Sequence, residues 1–160
     1  LKCSNSEYIC FLDSDNTWSP EYLSLMLTFM SIYSLDSAYC AARLIGDCDE
    51  QWLGDSFSWQ QCVIKNYIDL NCFIIRSSNA KNLFDENLER FVDWDYILNS
   101  TRESRTSYLP VALVEYCNKK SRDRITTTVY QNNQRAKYIK SIQDKNLSLM
   151  GYRDNMDART

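Results

Sequence analysis

The distribution of hydrophobic and polar positions predicts short buried strands that alternate with helices. Apolar runs bounded by polar turn residues predict four strands, over residues 6–12, 38–45, 68–76 and 108–116. Helical spacing or helix-start signals predict helices from Ser19 to about residue 33, over 60–67 and 77–83, from Asp93 to about Arg102, and from Tyr130 to about Met150. This alternation predicts an α/β fold in which helices cover a sheet.

The first helix carries specific expectations. Ser19 is expected to cap it, with Pro20 at its first position. Apolar residues occupy two faces, one of them containing Met26 and the other Leu25 and Ile32. A helix that is apolar on two faces is expected to be packed on both sides.

Two later stretches are also distinctive. Pro110 removes a backbone donor from the last predicted strand, which favours a position at the edge of the sheet. Residues 46–59 are polar and irregular, which predicts a long loop. That loop is either a lid facing a substrate or a surface excursion whose tryptophans, Trp52 and Trp59, pack back onto the core.

Composition limits the protein classes. With 160 residues, 44% of them hydrophobic, the chain is expected to form one core. The net charge of −3 and the lack of a basic block give no indication of nucleic-acid binding. No apolar run is long enough for a transmembrane helix. The sequence starts at Leu1 without a signal-peptide pattern, which suggests that it begins inside a longer protein.

Cysteine and histidine usage excludes several chemistries. The seven cysteines form no Cys-x-x-Cys pair, and several lie in apolar runs, so free thiols in a reducing compartment are expected. Histidine is absent, which excludes Ser-His and Cys-His nucleophiles and a His-ligated zinc site. Acid–base chemistry must therefore use Asp, Glu, Lys, Tyr or Cys.

Two pairs of acids stand where predicted elements end or begin. Asp13 and Asp15 directly follow the apolar run of the first strand, a position at which α/β sheets commonly bind ligands. The alternative is an ordinary polar turn. Asp93 and Asp95 lie at a helix start, where acids also act simply as caps that suit the helix dipole.

The motifs together resemble a family 2 glycosyltransferase domain. The strand that ends in Asp13-Ser14-Asp15 is similar to the family's Asp-x-Asp motif. Phe84-Asp85-Glu86 leading to Val92-Asp93-Trp94-Asp95 is similar to its second motif, and Tyr116 with Arg122 to Thr126 is similar to the segment after its last core strand. The resemblance covers roughly residues 6–128.

The resemblance implies a GT-A-like, Rossmann-like mixed sheet flanked by helices. Residues 1–128 would form a partial domain, truncated at its N-terminus. The sequence pattern predicts a helical tail over residues 129–160, with the last ten residues expected to be disordered. Two departures stand out: Val92 replaces the first acid of a Glu-Asp pair, and the family's nucleotide-gripping first third is missing.

The resemblance also implies site roles. Asp15 and Asp13 would hold Mn²⁺ or Mg²⁺ and the donor, whose diphosphate Arg122 and Arg124 would contact. Asp93 is the candidate base, and its apolar neighbours are expected to raise its pKa above the usual ~3.9. The candidate acceptor-binding residues are Trp94, as a platform for a sugar ring, and Asn71.

The implied activity is inverting transfer of a sugar from a nucleotide-sugar donor to a hydroxyl of a glycan or lipid-linked acceptor, in surface polysaccharide synthesis. The expected setting is the cytoplasm, at the inner face of the membrane, with peripheral association through missing parts. One alternative is a non-catalytic remnant that binds no donor. A calcium-binding loop is disfavoured because Trp18 and Ser24 replace the Gly and Glu that such a loop needs.

Overall fold

The computed structural model describes residues 5–46, 51–80, 84–118 and 132–157. Its strands are β1 Tyr8–Cys10, β2 Thr17–Trp18, β3 Ser37–Gly46, β4 Gln51–Leu53, β5 Phe73–Arg76 and β6 Thr106–Asn118. Its α-helices are α1 Tyr22–Ile32, α2 Trp59–Ile64, α3 Val92–Thr101 and α4 Asn132–Asp157, and a 3₁₀ turn spans Leu70–Cys72. The predicted alternation of strands and helices is confirmed.

The strands form one mixed sheet. Its order is β1-β5-β3-β6-β2, with β4 paired to β3 outside this path. Among the described strands, β3 and β6 run parallel, and the other pairs are antiparallel. Because β5 pairs with the start of β3 and β4 pairs with residues further along it, the sheet has two halves. We call the half formed by β4, β2 and the adjoining parts of β3 and β6 the distal half.

The last strand is not, as predicted, at the edge of the sheet over its whole length, because β2 pairs with it at Val114 and Glu115, although no described strand pairs with it on that side at Pro110. Strand β6 lies between β3 and β2, and its register with β3 shifts between Cys40 and Ala42. Leu109 is paired with Cys40, whereas Ala112 is paired with Ala41, so Pro110 falls in the bulge between them. A bulge leaves residues out of the hydrogen-bonded ladder, and the missing N–H of a proline is therefore tolerated there.

Helix α1 differs from expectation in its start and its packing. Ser19 and Pro20 form a turn before the helix, in which the Tyr22 N–H donates to the Ser19 carbonyl oxygen (2.9 Å). Tyr22, Met26 and Met30 are buried against the sheet. Leu25 and Ile32 on the second face are exposed, so the expectation of packing on both sides is wrong.

Three other predicted segments need correction. Within residues 46–59, the segment Gln51–Leu53 is strand β4, paired antiparallel with β3, and α2 begins at Trp59, so the stretch is not one continuous loop. The segment Leu70–Cys72 is a 3₁₀ turn because the Asp69 carboxylate accepts the Asn71 N–H (2.9 Å), a local bond that competes with strand pairing. Residues 77–79 form a turn rather than a helix, and the remainder of that predicted helix reaches residues 81–83, outside the described ranges.

The C-terminal helix is longer than predicted, since α4 continues to Asp157 through much of the segment expected to be disordered. It packs on α2, where Gln143 Nε2 donates to the Ile64 carbonyl oxygen (2.9 Å), and its Ile142 is buried in the core. A search of the described residues finds no helix with the length and apolar character needed to cross a bilayer. The five cysteines within those residues are free thiols, as expected.

Candidate active site

The Asp13–Asn16 segment forms a tight turn at the end of β1. The Asn16 N–H donates to the Asp13 carbonyl oxygen (3.2 Å), which places Ser14 and Asp15 at the corners of the turn. The Asn16 side chain accepts the Cys117 N–H (3.0 Å) and so ties the turn to β6. Asp13 and Asp15 are both exposed at this sheet end. The Asp-x-Asp segment is thus a turn and also presents two carboxylates to solvent.

The Asn71 side chain is hydrogen-bonded to this turn. Its Oδ1 accepts the backbone N–H of Asp13 (2.6 Å), and its Nδ2 donates to Asp13 Oδ2 (2.9 Å). Trp18 Nε1 donates to the Asn71 carbonyl oxygen (2.8 Å). Asn71 is only 2% exposed. Both ends of its amide are occupied inside the protein, which favours positioning of Asp13 over the predicted contact with an acceptor.

Asp69 completes the network and was missed by the sequence reasoning. Its Oδ1 accepts from Asn71 Nδ2 (2.7 Å) and from the Asn71 N–H. Burial raises the pKa of Asp69, the bonds from Asn71 lower it, and the charges of Asp13 and Asp15 raise it further. A signal was present, because Asp69-x-Asn71 directly precedes an apolar run just as Asp13-x-Asp15 directly follows one.

Strand pairing explains why these two motifs meet. Strands β1 and β5 are antiparallel, with Cys10 opposite Ile74. In an antiparallel pair the end of one strand lies beside the start of the other. The turn that follows β1 and the 3₁₀ turn that precedes β5 therefore share one end of the sheet.

Asp93 approaches the same end of the sheet from α3. It lies in the first turn of that helix, after Phe91, which adopts a left-handed conformation (φ 59°) that is uncommon for a bulky residue. Burial raises the pKa of the Asp93 carboxyl, and the negative charges of Asp69 and Asp13 raise it further. The backbone N–H groups of Trp94 and Asp93 oppose this effect without reversing it.

An aromatic cluster fixes the start of α3 relative to β1. Phe11, at the end of β1, makes edge-to-face contacts with Phe84 and Tyr96, both with ring centroids 5.7 Å apart. Phe84 stacks on Tyr96 with a centroid distance of 4.6 Å. Ring pairs at such distances are favourable contacts that resist sliding. The first two sequence motifs thus meet through their aromatic residues.

Two neighbours of Asp93 face elsewhere. Trp94 is 2% exposed, and its Nε1 donates to the Cys62 carbonyl oxygen (2.7 Å). An indole enclosed in this way does not favour the predicted role as an acceptor platform. Asp95 is 1% exposed and forms an ion pair with Lys145 of α4, with Nζ at 2.8 Å from Oδ1. Asp95 is therefore a structural residue.

Two arginines and a divalent cation are the remaining parts of the predicted site. Arg122 and Arg124 lie outside the described residues. Within the described part of the chain, no three Cys, Asp or Glu side chains form a group that could hold a metal ion. Asp13 and Asp15 supply hard oxygen donors, which Mg²⁺ and Mn²⁺ prefer, but a cation there would need further oxygen ligands from substrate and water.

The four acids at this end of the sheet decide which chemistry the site can perform. Asp13, Asp15, Asp69 and Asp93 form an acidic centre at one sheet end, in which Asn71 fixes the geometry of Asp13. Such a centre can accept a proton at Asp93, whose raised pKa makes it a stronger base than an ordinary aspartate. It can also bind a cation at the exposed turn.

Comparisons with known proteins concern the family and the fold. The family model "Glycosyl transferase family 2" matches residues 1–119. Crystal structures of S. aureus TarS 1–349 are similar in fold. The complex with UDP-GlcNAc has a TM-score of 0.63 at 16% identity, covering 81% of this chain and 39% of that one. The complex with UDP has a TM-score of 0.59 at 16% identity, covering 72% and 37%.

The structural similarity to TarS covers only part of the TarS chains. The chain spans less than two-fifths of the length of those TarS structures, and at such low identity they show the fold, a GT-A-like mixed sheet flanked by helices. A search among curated proteins finds no match. The family match covers most of the chain, including the Asp13 turn, Asn71 and Asp93, and the chain therefore belongs to glycosyltransferase family 2.

Proposed function

We propose that this domain serves an inverting glycosyltransferase in which Asp93 is the catalytic base. The observation that carries the proposal is that the half-buried Asp93, with its raised pKa, lies near the exposed Asp13 turn. A sugar-nucleotide diphosphate near that turn would have its reacting carbon within reach of both groups. The TarS structures hold UDP and UDP-GlcNAc, which supports a uridine diphosphate sugar as the first donor to test.

The proposed reaction is a single displacement. The acceptor hydroxyl gives its proton to the Asp93 carboxylate while its oxygen bonds to the anomeric carbon of the donor. The bond from that carbon to the diphosphate oxygen breaks on the opposite face, and the diphosphate leaves with the electron pair. Attack and departure on opposite faces invert the anomeric configuration.

Asp13 and Asp15 have a binding role in this proposal. They would hold Mg²⁺ or Mn²⁺, which neutralises charge on the departing diphosphate when bound. Asn71 and Asp69 act behind them, because Asn71 fixes the Asp13 carboxylate and Asp69 fixes the Asn71 amide. Arg122 and Arg124 remain proposed donor contacts.

The direct test is a transfer assay on the full-length parent protein. We expect a nucleotide sugar, with Mn²⁺ or Mg²⁺, to yield a glycoside whose anomeric configuration, read by NMR, is opposite to that of the donor. EDTA should abolish transfer, and adding the cation back should restore it. Retention of configuration would contradict the proposed role of Asp93, and undiminished activity in EDTA would contradict the metal role of Asp13 and Asp15.

The second candidate is a domain that keeps the fold but binds no donor. The short coverage of the TarS structures, 39% or less, is the observation that favours it for the 160-residue chain. Calorimetric titration of the chain with UDP and Mn²⁺ distinguishes the two. Binding by the chain alone would exclude the non-binding candidate, whereas binding only by the full-length parent would show that the donor pocket needs residues beyond this chain.

A further inference from the structure

A row of four side chains crosses the distal half of the sheet. Trp52 on β4 is paired with Arg43 on β3, Arg43 with Glu115 on β6, and Glu115 with Thr17 on β2. Residues paired across neighbouring strands point to the same face of a sheet. The four side chains therefore lie side by side on one surface, as an indole, a guanidinium, a carboxylate and a hydroxyl.

The side chains of the row point away from the side of β2 that contacts Asn71. Successive residues of a strand point to opposite faces. Trp18 directs its indole to the Asn71 carbonyl oxygen, so Thr17 and the row that it belongs to face the other way. The row begins only two residues after Asp15, and Trp18, which contacts Asn71, also lines the space beside the row.

The row forms the wall and floor of a groove. The groove has a volume of about 470 Å³, and Pro20 and Leu113 also line it. Small-molecule sites generally have volumes of roughly 300–1,000 Å³, so it is large enough for a ligand. Trp52, at the rim of the groove, is 59% exposed. This exposure is unusual, because tryptophan side chains are highly buried on average.

The chemistry of the row selects the class of ligand. An exposed indole face suits the apolar C–H face of a sugar ring, and the adjacent guanidinium and carboxylate supply donors and acceptors for its hydroxyls. Arg43 and Glu115 form an ion pair with each other, so the pair carries no net charge. A neutral pair gives no attraction for a phosphate, which argues against a nucleotide or an anionic ligand.

We propose that this groove is a glycan-binding subsite that takes a neutral pyranose ring of the acceptor or of the growing product. The proposal rests on the proposed glycosyl transfer for its biological role. Because none of the four acids lines the groove, and because Thr17 points away from the side of β2 that contacts Asn71, it would hold a ring distant from the reacting hydroxyl. It would thereby retain a polymer near the acids without taking part in the transfer itself.

The test measures glycan binding separately from catalysis. The 160-residue chain, in EDTA and without donor, is titrated with maltohexaose, cellohexaose and the N-acetylglucosamine hexamer, and binding is followed by saturation-transfer NMR and calorimetry. We expect at least one hexasaccharide to bind with a millimolar or lower Kd. Trp52→Ala should weaken this binding at least tenfold, whereas Trp52→Tyr should retain it within about threefold.

The control is Ile64→Ala, which removes an exposed apolar side chain on α2 and should leave binding unchanged. Unfolding curves establish that each variant is folded. The proposal is overturned if none of the hexasaccharides binds, if Trp52→Ala binds as the parent chain does, or if UMP competes for the groove. It is also overturned if the groove takes the dye anilinonaphthalene sulfonate but no saccharide, since that result indicates an apolar partner.

Different experimental results would refute the glycan-binding subsite and the proposed transferase activity. In the full-length parent, Trp52→Ala is expected to raise the KM for a polymeric acceptor about tenfold and to leave donor hydrolysis unchanged. Saccharide binding that depends on Trp52, found without any transfer activity, would keep the subsite and refute the enzyme. Transfer that is unaffected by Trp52→Ala at every acceptor length would refute the subsite and support the enzyme.

Discussion

Asp93 and Asp95 stand two residues apart on α3, yet their surroundings have opposite consequences. The region around Asp95 provides a cation, Lys145, and an amide, Asn99, whose Nδ2 donates to Asp95 Oδ2 (2.8 Å). The region around Asp93 provides two further acids, which raise its pKa in addition to burial. A carboxylate that is neutralised by a partner holds the structure together, whereas one crowded by like charges is poised to take a proton.

The sharpest test of this contrast is Asp93→Asn. We expect transfer by the full-length parent to fall by roughly 100- to 10,000-fold, the usual contribution of a general base. Asp144→Asn, which changes an exposed acid on α4, is the matched control and should leave the rate unchanged. Activity of Asp93→Asn near the wild-type level would refute the assignment of the base.

The same variant gives a stability prediction of defined sign. A carboxyl whose pKa is raised in the folded state binds its proton more tightly there than in the unfolded chain. Its ionisation therefore lowers stability as the pH rises from the unfolded pKa through the folded one. Asp93→Asn should thus be at least as stable as the wild type at pH 7, with the advantage lost at pH 3, in urea unfolding of the chain.

The next largest effect is expected for Asn71→Ala. Loss of the amide removes the bonds that fix Asp13 while leaving Asp93 in place. Misplacement of a binding group by about an ångström costs roughly 10- to 100-fold in rate, so we expect kcat/KM to fall by that factor, mainly through the KM of the donor. Asn71→Asp, which keeps one hydrogen-bond acceptor but adds a charge, separates geometry from electrostatics. An unchanged donor KM in a folded Asn71→Ala variant would contradict the positioning role.

Lys145→Met tests the structural side of the comparison. It leaves the Asp95 carboxylate, 1% exposed, without its cation. Breaking a buried pair costs about 3–5 kcal/mol, but Lys145 is itself half exposed, so we expect a loss of about 1–3 kcal/mol in the free energy of unfolding. The double variant with Asp95→Asn should recover part of this loss, and a single variant as stable as the wild type would show that α4 is not anchored by the pair.

The smallest effect is expected for Asp69→Asn. The charge of Asp69 contributes to the raised pKa of Asp93, so its removal should lower that pKa. Because Asp93 accepts a proton only when ionised, the rising limb of the pH–rate profile should move to lower pH. Asp36→Asn serves as a control at an acid that does not contribute to the raised pKa of Asp93. A limb that moves upward or stays in place would remove Asp69 from the electrostatics of the site.

Features that depend on neighbouring residues can be predicted from the sequence, whereas features that depend on distant residues cannot. The sequence predicts the positions of Asp13 and Asp93 at a strand end and a helix start, because both can be recognised from neighbouring residues. The apolar pattern around Leu70–Cys72 predicts a strand but also suits a 3₁₀ turn, and the bond that the Asn71 N–H donates to Asp69 decides between them. Pro110 was assigned to an edge because a bulge is visible only once the register of β3 and β6 is known.

The sequence by itself determined the alternation of strands and helices, the family, and the acids that follow β1 and begin α3. These properties depend on residues adjacent in the chain, whose propensities act before any long-range contact forms. Only the tertiary structure decided that Asn71 supports Asp13, 58 residues away, and that Lys145 neutralises Asp95, 50 residues away. Those partners meet because antiparallel pairing and helix packing bring distant segments together, and no local pattern encodes which polar groups then face each other.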